Sequence, residues 1–228
     1  MTTGIDDKSI VQEYFNAKGF DRWRRIYGDG EVNKVQLDIR KGHQQTIDDV
    51  VAWLKADGNL SELTICDAGC GVGSLSIPLA KEGAKVYASD ISEKMVGEAK
   101  ERAEKELSAD QMPTFETKDL ESITGKYHTV ICLDVLIHYP QEKADQMVKH
   151  LSSLAEHRVI LSFAPKNCFY VTLKKIGDFF PGPSKATRAY LHREKDVVNA
   201  LEANGWTIQR REFNKTRFYF SRMVEATK

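Results

Sequence analysis

The chain has 228 residues, 41% hydrophobic and 29% charged, enough to bury one substantial core and little for a second independent one. Its 33 basic and 33 acidic side chains cancel, so no global field recruits nucleic acid or an anionic membrane. No apolar run approaches a membrane span, and the first residues have neither a signal peptide's apolar core nor a transit peptide's basic composition, so a protein in the cytoplasm or peripheral to a membrane is expected.

The N-terminal quarter reads as helix: Ile10, Val11, Tyr14 and Phe15 recur at helical spacing, then residues 20–27 and 32–54, punctuated by Gly19 and the Gly28–Gly30 turn. The segment 20–27 carries aromatics and arginines between glycines, as expected of a hinged lid over an active site, with Tyr27 holding or covering the substrate. For Trp23 and Arg22 an ordinary amphipathic helix, arginines outward, is the better reading. Arg40 is a candidate clamp for a cofactor carboxylate. Residues 1–58 are therefore expected to form a helical lid and cofactor-covering segment on a core spanning 59–228.

The apolar run 63–66 enters Asp67 and a turn containing Gly69, Gly71 and Gly73, followed by a helix over 75–81. Glycines let the chain turn sharply and bring backbone N–H groups close to a ligand. A dinucleotide fingerprint would read G-x-G-x-x-G, whereas the G-x-G-x-G found here, opened by an aspartate, resembles the S-adenosylmethionine turn of class I methyltransferases. Asp67 either lies near the cofactor's methionine ammonium or ties down the turn. Cys66 and Cys70 read as packing residues, and with Cys132 and Cys168 they form neither a C-x-x-C pair nor a zinc spacing, so no protein metal site is expected.

The strand at 86–89 ends in Asp90, 17 residues after Gly73, where a doubly wound fold places the carboxylate that accepts from the ribose hydroxyls; Ile91 belongs to the same wall. Ser92 can cap the helix at 93–107 and leave Asp90 free. The strand at 114–117 stops short of Asp119 and Leu120, placed to meet an adenine with a carboxylate and an apolar contact. The strand at 129–134 continues into His138, Tyr139 and Pro140, the reaction edge. His138 can orient a carboxylate, accept a proton or approach a metal. Asp134 organises the strand end or meets the cofactor's amino group.

A helix at 142–154 and a strand at 158–163 precede an inserted segment, 165–193, with six basic residues against Asp178 and many aromatics. It is expected to cover the substrate, with Arg188 and Tyr190 facing it and Lys174 and Lys175 facing water. A helix near Glu194 and runs at 206–212 and 217–225 close the chain as a hairpin. The alternation implies an α/β, doubly wound, mostly parallel seven-stranded sheet.

Four stretches, 19–30, 32–43, 132–140 and 179–190, together resemble the magnesium-protoporphyrin IX O-methyltransferase family of chlorophyll biosynthesis, and the match covers nearly the whole chain. The resemblance implies methyl transfer from S-adenosylmethionine to one propionate of magnesium protoporphyrin IX, giving the monomethyl ester and S-adenosylhomocysteine. Magnesium enters only within the substrate. It further implies that His138 and Tyr27 orient and desolvate the propionate, that Tyr139 lies on the substrate side, and that partners include chlorophyll-biosynthesis proteins such as magnesium chelatase at a photosynthetic membrane. The chain departs from the usual methyltransferase pattern at His128, where an aspartate commonly stands. Methylation of another small acid or a quinol, or a scaffold without turnover, remain the rival readings; a nicotinamide dehydrogenase requires the other glycine spacing.

Overall fold

The computed structural model describes residues 7–166 and 189–228. Arg188, Cys168 and most of the 165–193 insert lie outside the described residues.

Seven strands form one sheet: β1 (Thr64–Ala68), β2 (Lys85–Asp90), β3 (Thr114–Thr117), β4 (Tyr127–Cys132), β5 (Ala155–Phe163), β6 (Thr207–Lys215) and β7 (Phe220–Thr227), in the order β3-β2-β1-β4-β5-β7-β6. The first five pair in parallel, and β7 runs antiparallel to both β5 and β6. The strand order reverses between β1 and β4, and such a switch point opens a crevice at the carboxyl ends of the strands.

Alternating side chains divide the core in two, as a period of two requires. Cys66 and Ala68, Val130 and Cys132, and Val159, Leu161 and Phe163 face α6 (Gln141–Leu154) and α7 (Glu194–Glu202). Ile65, Ile131, Ile160 and Met223 face the other way, toward α3 (Lys34–Ala56), α4 (Ser76–Lys81) and α5 (Glu93–Glu106). Two short helices, α1 (Asp7–Asn16) and α2 (Lys18–Ile26), precede this body.

Element ends moved by a few residues, each for a local reason. The third helix starts at Lys34 because Asn33 and Gln36 form a reciprocal capping box. β4 stops at Cys132, two residues before the expected end, because Asp134 adopts a left-handed backbone (φ 58°) and turns the chain out of the sheet. β6 runs on to Lys215, and the β6–β7 turn is held by Asp38, which accepts from Thr216 Oγ1 (2.6 Å) and the Phe218 N–H (2.7 Å). At His128, the backbone N–H donates to Thr64 Oγ1 (3.0 Å), so β1 supplies a hydrogen bond at the position where the family pattern departs.

α3 packs against the hairpin at Gly42. A Cβ there would lie 2.4 Å from the Tyr219 ring, at atoms near that side chain's base. Gly42→Ala should therefore cost about 1–3 kcal/mol through overpacking and lower the midpoint of thermal unfolding by roughly 2–10 °C. An unchanged midpoint would show that α3 and Tyr219 separate without cost.

Candidate functional site

The crevice at the switch point is built first by the glycine turn. Gly69, Gly71 and Gly73 all have positive φ (88°, 54° and 81°), a run that side-chain-bearing residues rarely adopt. Their N–H groups do not face outward as the sequence suggested. Gly69 and Cys70 both donate to the Ser89 carbonyl (2.8 and 2.9 Å), Gly71 donates to Asp90 Oδ2 (3.0 Å) and Gly73 to the Cys70 carbonyl (2.9 Å). The turn thus offers a ligand bare backbone surface in place of a nest of donors. Gly71 has open space where its Cβ would project, whereas Gly73 faces Ile77 and Ala99 and serves helix packing rather than the crevice wall.

Asp90 lies in that wall. Its two oxygens accept from Gly71 (3.0 Å) and from the Ser92 N–H (2.9 Å), and burial raises its pKa above the ordinary carboxylate value. Each oxygen keeps a lone pair for a ligand hydroxyl. Ser92 caps α5 by accepting from Met95, as its position suggested. Ile91 and Leu120 complete the apolar wall. Asp119 is committed elsewhere: it accepts from Lys8 Nζ (2.5 Å) and the Ser122 N–H (2.9 Å), which outweigh burial and lower its pKa. Asp67 is 3% exposed beneath the turn, where it accepts from Ser76 Oγ (2.5 Å); burial pushes its pKa up to about 6. It supports the start of α4 and lies off the crevice wall. Cys66 is a packing residue whose thiol burial pushes up to about 12.

Asp134 is the hub of the site. Oδ2 accepts from His43 Nδ1 (3.0 Å) and Tyr219 Oη (2.7 Å), and Oδ1 accepts from Ser162 Oγ (2.9 Å) and Ser221 Oγ (3.2 Å). Burial works to raise its pKa, but the hydrogen bonds from His43, Tyr219 and Ser162 hold it below the ordinary value, so the carboxylate is ionised. Of the two expected roles, strand-end organisation is the one these contacts perform.

His138 closes a short 3-10 turn, Leu136–His138. The Tyr190 N–H donates to the Ile137 carbonyl (2.7 Å), and His192, fully buried, donates from Nε2 to the Leu136 carbonyl (2.8 Å). His138 Nδ1 is buried with no hydrogen-bond partner among the described residues. Burial drops its pKa to about 4, against the opposing pull of Asp134, so the imidazole is neutral at neutral pH. Tyr139, 9% exposed, lines the crevice with Leu120 and does not border the larger cavity described below. That corrects its substrate-side expectation. Tyr190 holds the His138 turn through its backbone, while its neighbours Ala189 and Leu191 line the larger cavity.

That cavity, about 450 Å³, is walled by Tyr14, Phe15, Trp23, Tyr27, Ile137, Leu191 and Phe218 among others. Phe15, Tyr27, Asp134 and His138 belong both to it and to the glycine-turn crevice, so they stand at the junction of two compartments. Tyr27 stacks on His43 with ring centroids 4.2 Å apart. Burial, reinforced by the charges of Asp134 and Asp90, holds its phenol well above the usual pKa, so it remains a donor. α1 roofs the crevice: Gln12 donates to the Ile91 carbonyl (3.3 Å), and Asn16 accepts from Ser92 Oγ (2.8 Å).

Arg40 and Arg22 both depart from expectation. The Arg40 guanidinium donates to the carbonyls of Ile26 (2.8 Å), Arg25 (2.7 Å) and Gly30 (2.9 Å), fastening the end of α2 to α3, so it does not clamp a cofactor. Arg22, read as outward, lines the large cavity beside Trp23. The sequence reading passed over His43 and Tyr219, although His43 stands one helical turn beyond Arg40, on the same face.

Comparison with known proteins agrees with this geometry. The family described as Magnesium-protoporphyrin IX methyltransferase C-terminus matches residues 132–228, and a general Methyltransferase domain matches 65–157. The magnesium-protoporphyrin O-methyltransferase of Synechocystis is 64% identical over 98% of this chain and 97% of its own length. The chloroplastic magnesium protoporphyrin IX methyltransferase of Arabidopsis thaliana is 61% identical over 98% of this chain and 72% of its own. A crystal structure of the Synechocystis PCC 6803 enzyme with bound S-adenosylhomocysteine superposes with a TM-score of 0.90 at 63% identity, covering 98% of this chain and all of that one. The N-methyltransferase NodS of Bradyrhizobium japonicum, 11% identical with a TM-score of 0.64, shares the fold.

The state of His138 can be read directly. Its ring resonances should titrate near pH 4 in the folded protein, and a midpoint near the ordinary 6.5 would contradict its burial. The unfolded imidazole takes up its proton first as the pH falls, so acid costs the folded state stability between those values. His138→Gln should accordingly gain on the parent protein between pH 7 and pH 5, by up to about 2 kcal/mol in unfolding experiments.

Proposed function

The chain belongs to the magnesium-protoporphyrin IX methyltransferase family, and we propose that its two compartments carry out that family's reaction on a carboxylate substrate. S-adenosylmethionine occupies the glycine-turn crevice, and magnesium protoporphyrin IX enters the aromatic cavity and presents one propionate at the junction. The products are the monomethyl ester and S-adenosylhomocysteine.

The observation that carries this reading is the pair at the junction: a neutral imidazole and an un-ionised phenol. A propionate with a pKa near ~4.3 is already ionised at neutral pH and needs no base. Its oxygen attacks the methyl carbon, the carbon–sulfur bond breaks toward sulfur, and no proton moves. Opposite charges on carboxylate and sulfonium are both lost, so excluding water favours the step. What remains is alignment, which can supply up to about 7–11 kcal/mol. Tyr27 and His138 can each donate one hydrogen bond to hold the carboxylate, and the ionised Asp134 favours a cation beside it. A quinol, whose hydroxyl titrates near ~10, would need a general base, and an imidazole with a pKa near 4 is a weak one.

Asp90 is proposed to bind the ribose and Leu120 the adenine. A cavity this apolar suits a pigment delivered from a hydrophobic source, and the reading extends to peripheral association with a photosynthetic membrane or transfer from magnesium chelatase. No described helix is long and apolar enough to cross a membrane.

A mass measurement of the product made from magnesium protoporphyrin IX tests the reaction: one added methyl group is expected, and methylation of a quinol but not the porphyrin would overturn it. His138→Ala should lower kcat by roughly 100-fold while S-adenosylhomocysteine binds within about twofold of the parent; equal losses in both would remove His138 from the substrate side. Asp90→Ala should weaken S-adenosylhomocysteine by roughly 10-fold or more in calorimetry.

A further inference from the structure

We infer that Arg22 anchors the second carboxylate of the substrate, the one that is not methylated, and so decides which of the two acids meets the methyl donor. The inference rests on the reading of the large cavity as the porphyrin site.

Among the described residues, Arg22 is the one lysine or arginine that lines that cavity. The two other arginines of α2 are engaged elsewhere: Arg24 lies 3.6 Å from Glu98, and Arg25 donates to the Asp21 carbonyl (3.1 Å). The Arg22 guanidinium makes no hydrogen bond or ion pair among the described residues, and it stands 5.5 Å from the centroid of the Trp23 ring. The other charged wall residue, Asp134, has its oxygens occupied by His43, Tyr219 and two serines. A half-buried, unpaired guanidinium in an aromatic chamber costs desolvation that an anionic ligand would offset. Planar, forked donors match a carboxylate.

Spacing supports the assignment. Arg22 precedes Tyr27 by five residues of helix, which separates their backbones by roughly 7.5 Å along the axis. The two propionates of protoporphyrin hang from neighbouring pyrroles on one edge of the macrocycle. One carboxylate on Tyr27 and His138 therefore leaves its neighbour within reach of a long side chain one and a half turns away. The aromatic walls take the flat ring between them.

The test compares the parent protein with Arg22→Gln and Arg22→Lys, using the free diacid magnesium protoporphyrin IX, its monomethyl ester and its dimethyl ester, with affinities read by fluorescence. S-adenosylhomocysteine affinity serves as the check on folding, and Arg22→Lys keeps the test alive should Arg22→Gln fail to fold. In Arg22→Gln the diacid and the monoester, which both retain the anchoring carboxylate, should bind about 10- to 100-fold more weakly, while the dimethyl ester should be unaffected. Arg22→Lys should fall between. The variant should also yield both monomethyl isomers where the parent yields one. Unchanged binding of all three pigments, or equal weakening of the dimethyl ester, would overturn the inference while leaving the reaction in place. Failure of the parent protein to methylate the diacid would instead bring down the reading on which it rests.

Discussion

One half-buried carboxylate sets the position of nearly everything around it. Asp134 sits where β4 leaves the sheet, in a left-handed conformation that turns its side chain back over β5 and β7. Four side chains from separate elements donate to it: His43 from α3, Tyr219 from the hairpin turn, Ser162 from β5 and Ser221 from β7. An ionised carboxylate without these donors would cost several kcal/mol to bury and would take up a proton instead. With them it stays charged. The consequence reaches the end of α2, because His43, fixed by Asp134, is the surface on which Tyr27 stacks. The same charge stands beside the glycine turn, where it favours a sulfonium over a neutral ligand.

The glycine turn obeys a related economy. In dinucleotide sites the free N–H groups of such a turn meet a pyrophosphate. Here Ser89, Asp90 and Cys70 consume the N–H groups of Gly69, Cys70, Gly71 and Gly73, leaving little to attract an anion. A ligand bearing a positive sulfur and no phosphate has no use for those donors. The shorter glycine spacing is the sequence trace of that difference, and the positive φ values show why glycine is required. Asp90 links the parts, since the oxygen that fastens Gly71 belongs to the carboxylate proposed to bind the ribose.

The sheet was legible because buried parallel strands and their helices write strong local patterns, and β1, β2, β3 and β4 lie within two or three residues of where those patterns placed them. The places of the glycine turn, Asp90 and His138 around one crevice were legible because each follows a strand end. Less was legible where a side chain's direction depends on partners far away in sequence. His43 and Asp134 are 91 residues apart, and Thr46 and Tyr219 are 173 apart, so no local period announces them. Arg40 and Arg22 were assigned opposite roles for the same reason: the carbonyls at the end of α2 draw Arg40 inward, while Arg22 faces a cavity closed by the hairpin turn. Tyr139 was misplaced because the chain leaves the 3-10 turn at that residue in an extended conformation, so its side chain lines the crevice with Leu120 and not the larger cavity that His138 also borders.

Among the described residues the two compartments share a few side chains, and what fixes the imidazole among them lies at the two ends of the insert. Lys166 donates to the His192 carbonyl and His192 to that of Ala164, tying residues 164–166 to 190–192 at the base of the insert. From this base Tyr190 and His192 each hold a carbonyl of the turn that carries His138. A displacement of residues 164–166 or 190–192 would therefore displace the imidazole as well. For the proposed reaction, in which no proton is transferred and alignment supplies the rate, that linkage means the imidazole is positioned by the two chain segments that flank the insert.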